Sequence, residues 1–173
     1  MERKIQNLAS LGTGNFTVYL DEVNLRNGRI SKRIYVDHPQ AAAIVPFVSD
    51  HEIIMVRQYR YALKRETLEI PAGKMDKGES PEKCIKRELL EETGFDAKRI
   101  NWLYTYAPAI GYSNELIHLY VGRDLEKRDT EIDENEISEL RILPLEEVIG
   151  LIRDHKIIDS KTIIALALLR PLI

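Results

Sequence analysis

Residues 73–95 read GKMDKGESPEKCIKRELLEETGF, and the rest of the chain is organised around this stretch. Its second half carries the signals that bound a helix. Ser80 can accept a backbone N–H at the N-terminus, Pro81 suits the first helical position, and Gly94 is a usual C-terminal stop. These signals predict a helix over residues 81–93.

Three glutamates fall on one face of this predicted helix. Glu88, Glu91 and Glu92 stand at i, i+3 and i+4, whereas Ile85 and Leu89 point toward a core. Like charges at this spacing repel, so one interpretation is a solvated acidic face that nearby lysines and arginines partly neutralise. Clustered carboxylate oxygens are also the ligands that hard divalent cations such as Mg²⁺ require. On these residues alone both interpretations stay open.

The spacing of the residues in this stretch favours the metal site. Every specified position of the pattern G-x5-E-x7-R-E-U-x-E-E-x-G-U is filled, where U is a bulky aliphatic or aromatic residue. The matching residues are Gly73, Glu79, Arg87, Glu88, Leu89, Glu91, Glu92, Gly94 and Phe95. The stretch therefore resembles the Nudix box of the Nudix hydrolases.

The resemblance implies an enzyme that hydrolyses a nucleoside diphosphate linked to another moiety. It implies Mg²⁺ as the cofactor, with Mn²⁺ as a possible substitute. Glu88 and Glu92 would be metal ligands, and Glu91 would be a shared or water-mediated ligand. The backbone carbonyl of Ala72, just before the box, is a further ligand in this family. Arg87 would orient glutamates, Glu91 among them, and both residues count as catalytic by this resemblance.

The acidic run at residues 133–136, Asp-Glu-Asn-Glu, resembles a loop of the ADP-ribose pyrophosphatase branch that closes over the site. By that resemblance Glu134 would be the catalytic base and Glu136 another metal ligand. The alternative is a solvated loop, because residues 123–136 are highly charged and lack a regular apolar period. Since the box lies upstream, we expect the functional role.

Four further residues are candidate substrate ligands by the same resemblance. Arg60 ends a strand at the point where the branch places an arginine on a phosphate, although it could also be an ordinary surface arginine. Arg33 stands where the branch presents a side chain to the nucleotide, often across a dimer interface. In the loop at residues 108–115, Tyr112 could stack on a base and Glu115 could accept ribose hydroxyls.

The loop at residues 108–115, PAIGYSNE, departs from the branch pattern at one position. ADP-ribose enzymes carry a proline where this chain has Ile110, and here the proline is Pro108. ADP-ribose is still the first expected substrate, because residues 111–115, GYSNE, match the branch. The altered position keeps a GDP-mannose or broad nucleotide-sugar pyrophosphatase open as the alternative. A non-catalytic Nudix module that senses a nucleotide is a further alternative, but such modules tend to lose box glutamates that this chain keeps.

Bulk composition excludes several other classes. With 173 residues and 44% hydrophobic content, the chain can bury one substantial core. A net charge of −3 offers no basic surface to nucleic acid. The single cysteine, Cys84, excludes an internal disulfide and is predicted to be a small core residue. No apolar run reaches the ~18 residues that span a bilayer, and residues 1–10 lack the apolar segment of a signal peptide. We expect a cytoplasmic protein without a membrane or nucleic-acid partner.

The N-terminal residues predict an antiparallel β-hairpin. Asn27 and Gly28 favour a tight turn between two segments of alternating apolar residues, 16–26 and 29–37. A two-stranded unit is marginal alone, so it must pack on the main body or on a second subunit. We therefore expect a homodimer formed through these strands.

The order of the later segments predicts an α/β fold. Strands are predicted at residues 41–48, 52–59, 65–70, 101–107, 116–122 and 137–143, and helices at 81–93, 145–153 and 159–169. A mixed sheet with helices on both faces suits this order, which resembles the α/β/α sandwich of Nudix proteins. The predicted organisation is an N-terminal arm over residues 1–40 and a Nudix hydrolase domain over residues 41–173.

Overall fold

The structure is a computed structural model that describes residues 1–130 and 137–169. Its strands are β1 (Arg3–Gly12), β2 (Thr17–Asn24), β3 (Ile30–Asp37), β4 (Ala41–Pro46), β5 (Glu52–Arg60), β6 (Arg65–Glu69), β7 (Ala72–Lys74), β8 (Phe95–Tyr106), β9 (Ile117–Lys127) and β10 (Ile137–Pro144). Its helices are α1 (Pro81–Thr93), α2 (Leu145–Arg153) and α3 (Ser160–Leu169). Within the described ranges, no helix has both the length and the apolar character needed to cross a membrane.

The chain divides into two compact units that are not continuous in sequence. The first unit contains Met1–Gln40 and Tyr106–Leu116, and the second contains Ala41–Thr105 and Ile117–Ile173. The loop that holds the predicted substrate ligands Tyr112 and Glu115 therefore folds with the N-terminal strands.

The first unit is built on a three-stranded antiparallel sheet with the order β1-β2-β3. The predicted hairpin is present as β2 and β3, and Gly28 in its turn has a φ of 81°. The sequence did not predict β1. Its register against β2 shifts after Lys4 and again after Asn7. Because each shift turns the following side chains to the other face, β1 lacks the period of two that identifies a strand.

The second unit contains a mixed sheet with the order β7-β4-β9-β8. Strand β4 runs parallel to β9 and antiparallel to β7. Strands β10, β5 and β6 form a second, antiparallel sheet. Both faces of β4 are buried, as expected of a strand that lies between two layers. Ala42 and Ile44 pack against α1, while Ala43 and Val45 alternate to the other face and are also fully buried. Helix α3 also contacts β4 and β9.

Helix α1 has the predicted boundaries and the predicted core face. The Ser80 hydroxyl accepts the backbone N–H of Lys83 at 3.4 Å, and Gly94 ends the helix with a φ of 72°. Ile85 and Leu89 are fully buried. Cys84 is buried with them, as predicted, and this burial raises the pKa of its thiol to about 12.

Strand β9 extends beyond the predicted strand at residues 116–122, into the charged segment whose lack of an apolar period indicated a loop. That interpretation is wrong for residues 123–127, which are part of β9. Two of their charged side chains pair with β8, since Lys98 lies 2.5 Å from Glu126 and Arg99 pairs with Asp124. Because these residues gain partners across the strands, the segment forms a strand without an alternating apolar pattern.

Candidate metal and phosphate site

Helix α1 places its three glutamates in two different environments. Glu88 and Glu92 are buried, with 9% and 4% of their surfaces exposed. The Glu91 side chain is 55% exposed. A buried carboxylate loses its hydration and needs partners, so the inner pair is costly unless other groups bind it.

The segment just before the box supplies some of those partners. The backbone N–H of Ala72 donates to Oε2 of Glu92 at 3.0 Å. The backbone of Gly73 lies directly against Glu88, because a Cβ atom built on Gly73 would stand 1.8 Å from the Glu88 carboxyl carbon. The first glycine of the box is therefore required for space at this position, which its small size alone provides.

Arg87 joins the buried Glu88 and the exposed Glu91 to the loop before the helix. Its Nη1 donates to Glu88 at 2.7 Å and to Glu91 at 3.1 Å. Its Nε and Nη2 donate to the two oxygens of Glu79 at 3.1 and 3.0 Å, and Nη2 also donates to the carbonyl of Lys74 at 3.1 Å. One cation thus offsets the repulsion among three carboxylates and fixes the orientation of Glu88.

Glu79 is held as a carboxylate by these contacts. Its hydrogen bonds from Arg87, and a further bond at 2.9 Å from the backbone N–H of Asp76, lower its pKa to about 2. The ionised side chain therefore closes the loop between β7 and α1 at ordinary pH.

The oxygen donors at this position fit a hard divalent cation. In residues 1–130 and 137–169, no three Asp, Glu, His or Cys side chains are grouped closely enough to hold a metal ion by themselves. Mg²⁺, however, commonly uses one or two carboxylates, keeps several waters and takes its other ligands from substrate phosphates. Glu88 and Glu92 supply two buried carboxylates, and the backbone N–H of Ala72 bonds to one of them. The predicted base Glu134 and ligand Glu136 lie outside the described residues.

The guanidinium of Arg60, a predicted phosphate ligand, is paired with the buried carboxylate of Glu69. Glu69 is 2% exposed and accepts from Arg60 Nε at 2.8 Å and from Arg60 Nη2 at 2.5 Å. Lys161 and Thr67 also donate to Glu69. Burial alone would raise the pKa of Glu69, but the bonds from Arg60 and the charge of Lys161 outweigh it and lower the pKa to about 2.

The first turn of α3 is bonded to the same region. Asp159 Oδ2 accepts from the backbone N–H of Thr162 at 3.0 Å and lies 3.1 Å from Lys161 Nζ. The hydroxyl of Thr162 accepts the backbone N–H of Ile70 at 3.0 Å. Sequence analysis missed Glu69 and Lys161. The only local signal was a single charge within an otherwise apolar run, LEIPA at residues 68–72.

Glu69 makes the stability of the fold depend on pH. Its folded pKa of about 2 lies below the ordinary value of 4.5, so its contribution is complete above pH 4.5 and is lost as the pH falls toward 2. Between pH 4.5 and 2 we expect the free energy of unfolding of a Glu69→Gln variant to fall less than that of the wild type. The difference between the two losses should be up to about a few kcal/mol. Urea denaturation at a series of pH values measures this. Glu66 is an exposed residue of β6, so the free energy of unfolding of Glu66→Gln should fall with pH as it does in the wild type. If the free energy of unfolding of Glu69→Gln fell by the same amount, the low pKa of Glu69 would not be the cause of the pH dependence.

The other predicted substrate ligands lie in the first unit. Arg33 on β3 forms a two-point pair with Glu2, with Nε–Oε2 at 3.0 Å and Nη2–Oε1 at 2.6 Å. Tyr112 is 60% exposed. Glu115 has a carboxylate oxygen 3.4 Å from His38 Nδ1. All three residues belong to the first unit, which contains the N-terminal strands.

Asn114 fastens the loop of Tyr112 and Glu115 to β3, a role that sequence analysis missed. Its amide donates to the Tyr35 hydroxyl at 2.9 Å and to Asp37 Oδ1 at 2.7 Å. Its side-chain oxygen accepts the backbone N–H of His38 at 2.9 Å. The amide is thus satisfied at both ends by one strand and the residue after it.

Comparison with known proteins assigns the family. The model of the NUDIX domain matches residues 37–166. The chain is 42% identical to the methanol dehydrogenase activator of Bacillus methanolicus, over 87% of this chain and 83% of that protein. It is 39% identical to the ADP-ribose pyrophosphatase of Bacillus subtilis strain 168, over 88% of this chain and 84% of that protein. A crystal structure of an ADP compounds hydrolase superposes with a TM-score of 0.79 at 29% identity, covering 97% of this chain and 93% of the other.

The chain therefore belongs to the Nudix hydrolase family. The predicted family and the predicted mixed α/β fold are both confirmed. Nudix hydrolases generally depend on divalent metal ions, which agrees with the oxygen donors at Glu88 and Glu92.

Proposed function

We propose that this chain hydrolyses the pyrophosphate bond of ADP-ribose, or of a related nucleoside diphosphate sugar, in a Mg²⁺-dependent reaction. The observation that carries the proposal is the buried pair Glu88 and Glu92, which lies against Ala72 and Gly73 in a chain of this family. Similarity to an ADP-ribose pyrophosphatase supports the choice of substrate.

The reaction adds water across the anhydride. The water oxygen forms a bond to one phosphorus and the bond from the bridging oxygen to that phosphorus breaks, giving a nucleoside monophosphate and a sugar phosphate. A bound divalent ion supplies the positive charge that neutralises the phosphate oxygens. Glu88, Glu92 and the Ala72 carbonyl would hold it, assisted by Glu91 and Glu136. The water proton would pass to Glu134.

Arg87 and Arg60 have separate roles in this proposal. Arg87 keeps the Glu88 carboxylate in place through its bond at 2.7 Å. Arg60 binds a substrate phosphate. Its pKa is raised, chiefly by the hydrogen bonds to Glu69 and to a smaller degree by the charges of Asp159 and Glu92. Arg33, Tyr112 and Glu115 remain our candidates for contacts to the nucleotide and its ribose.

A substrate panel tests the proposal. With Mg²⁺ present, we expect ADP-ribose to be cleaved to AMP and ribose 5-phosphate with the highest kcat/KM among the nucleotide sugars assayed. A higher value for GDP-mannose, or similar values across the panel, would favour the broader pyrophosphatase. Binding of ADP-ribose without cleavage in either Mg²⁺ or Mn²⁺ would favour a nucleotide-sensing module.

We further propose that the chain forms a homodimer through its N-terminal strands. The β1-β2-β3 register places Leu11, Ile30 and Ile34 on one face of the sheet, where they are 73%, 65% and 60% exposed. A second copy would remove these apolar side chains from water. Light scattering after gel filtration should give the mass of two chains, and a Leu11→Lys/Ile34→Lys variant should give the mass of one. A wild-type mass of one chain would contradict the proposal.

A second candidate function follows from the relative that shares 42% identity over 87% of this chain, which is named a methanol dehydrogenase activator. Because that similarity covers most of both proteins, we propose as the second candidate that this chain activates a methanol dehydrogenase. Addition of the chain and Mg²⁺ to Bacillus methanolicus methanol dehydrogenase should then raise the rate of methanol oxidation. An unchanged rate would remove this candidate and leave the hydrolase proposal intact.

A further inference from the structure

Lys161 is a buried cation that the proposed reaction does not use. Only 6% of the residue is exposed, and its Nζ atom contacts Glu69 and lies 3.1 Å from Asp159 Oδ2. Burying an ammonium group is unfavourable unless it is fully paired. Its position between two carboxylates, one at the end of β6 and one before α3, indicates a specific role for its charge.

Glu69 connects this buried cation to Arg60. Its Oε1 accepts from Arg60 Nε and Thr67, and its Oε2 accepts from Arg60 Nη2 and Lys161. Each carboxylate oxygen therefore has one partner that belongs to the arginine and one that belongs to the protein interior. The interior partners fix the orientation of the carboxylate. Because the guanidinium makes two hydrogen bonds to that carboxylate, its orientation is fixed as well.

Arg60 is the only member of this chain of contacts with a large exposed surface. Its side chain is 41% exposed, whereas those of Glu69 and Lys161 are 3% and 8% exposed. The guanidinium is thus held from its buried side by Glu69. Its exposed part is left to meet a ligand.

We propose that Lys161 is a positioning residue that orients Arg60 through Glu69 and thereby sets the affinity for substrate phosphates. The inference rests on the proposed function, because Arg60 is the phosphate ligand in it. Without Lys161, the carboxylates of Glu69 and Asp159 lose the cation between them. Their repulsion then displaces Glu69, and Arg60 moves with it.

Steady-state kinetics on ADP-ribose with Mg²⁺ test the role of Lys161. We expect Lys161→Met to raise KM roughly tenfold and to change kcat by less than about twofold, as loss of a contact shared by ground and transition states does. Lys156→Met is the matched control, because the Lys156 side chain is 67% exposed and pairs only with Asp154 among the described residues. That variant should keep the wild-type KM.

The double variant Arg60→Ala/Lys161→Met separates positioning from a general structural role. If Lys161 acts through Arg60, its removal has no further effect on KM once Arg60 is alanine. Equal effects of Lys161→Met in the two backgrounds would overturn the inference.

A measurement on Arg60 itself decides the question even if the chain cleaves no nucleotide sugar. In ¹⁵N NMR spectra, the Arg60 Nε–H signal should show a heteronuclear NOE as high as that of the ordered backbone, and Lys161→Met should lower it. Should Lys161→Met fail to fold, Glu69→Gln/Lys161→Met removes one charge of each sign and leaves no added net charge in the interior. That variant should show the same loss of order. An Arg60 signal as ordered as in the wild type, in whichever variant folds, would overturn the inference without bearing on the hydrolase proposal.

Discussion

A Glu92→Gln variant is expected to lose at least about 100-fold in kcat and to show no rise in Tm when Mg²⁺ is added. The carboxamide keeps the size of the side chain, and its oxygen can still accept the Ala72 N–H that Glu92 binds at 3.0 Å. The fold is therefore retained while the negative charge that a divalent ion requires is removed. Turnover of ADP-ribose and thermal unfolding with and without Mg²⁺ measure the two effects.

Glu82→Gln is the matched control for this variant. Glu82 lies on the same helix, but its side chain is 59% exposed and pairs with Lys86 at 2.9 Å. Loss of that surface pair should leave turnover and the Mg²⁺-dependent rise in Tm close to wild type. Near-normal turnover by Glu92→Gln at saturating Mg²⁺ would argue against a metal site on α1.

A Gly73→Ala variant is expected to fold and yet to lose roughly 100-fold in kcat. The added Cβ would stand 1.8 Å from the carboxyl carbon of Glu88, so one of the two must move. Because the obstructing atoms are at the end of a flexible side chain, the Glu88 carboxylate should move and the backbone should not. Assay of ADP-ribose hydrolysis together with circular dichroism tests whether activity is lost without loss of fold.

The same substitution at Gly150 provides the comparison. Gly150 lies within α2, and a Cβ there would meet nothing within 4 Å. Alanine at this position should leave the rate unchanged and stabilise the fold by about 0.5 to 1 kcal/mol. If Gly73→Ala hydrolysed ADP-ribose at the wild-type rate, the close contact between Gly73 and Glu88 would have no functional importance.

The parts of the structure that depend on local signals were predictable from the sequence. Helix α1 has its predicted ends, because Ser80, Pro81 and Gly94 begin and end the helix through contacts with residues no more than one turn away. The burial of Ile85 and Leu89 followed from helical spacing alone. The helical spacing placed Glu88 and Glu91 on one face, three residues apart, and so did not predict that Glu88 is buried while Glu91 is exposed.

Features that depend on pairing between distant segments were not predictable. Strand β1 was missed because its irregular register conceals the alternation of its side chains. The end of β9 was missed because cross-strand ion pairs such as Lys98–Glu126 replace an apolar pattern. The contact between Glu69 and Lys161 joins residues 92 positions apart, and no local spacing reports such a contact.

The partition of the chain has a consequence for altering specificity by recombination. Residues 106–116 fold with residues 1–40, and Asn114 bonds to Tyr35, Asp37 and His38. A chimera that takes its leading strands from one relative and this loop from another would separate residues that form one structural unit. Both segments should therefore be exchanged together when substrate preference is transplanted among Nudix relatives.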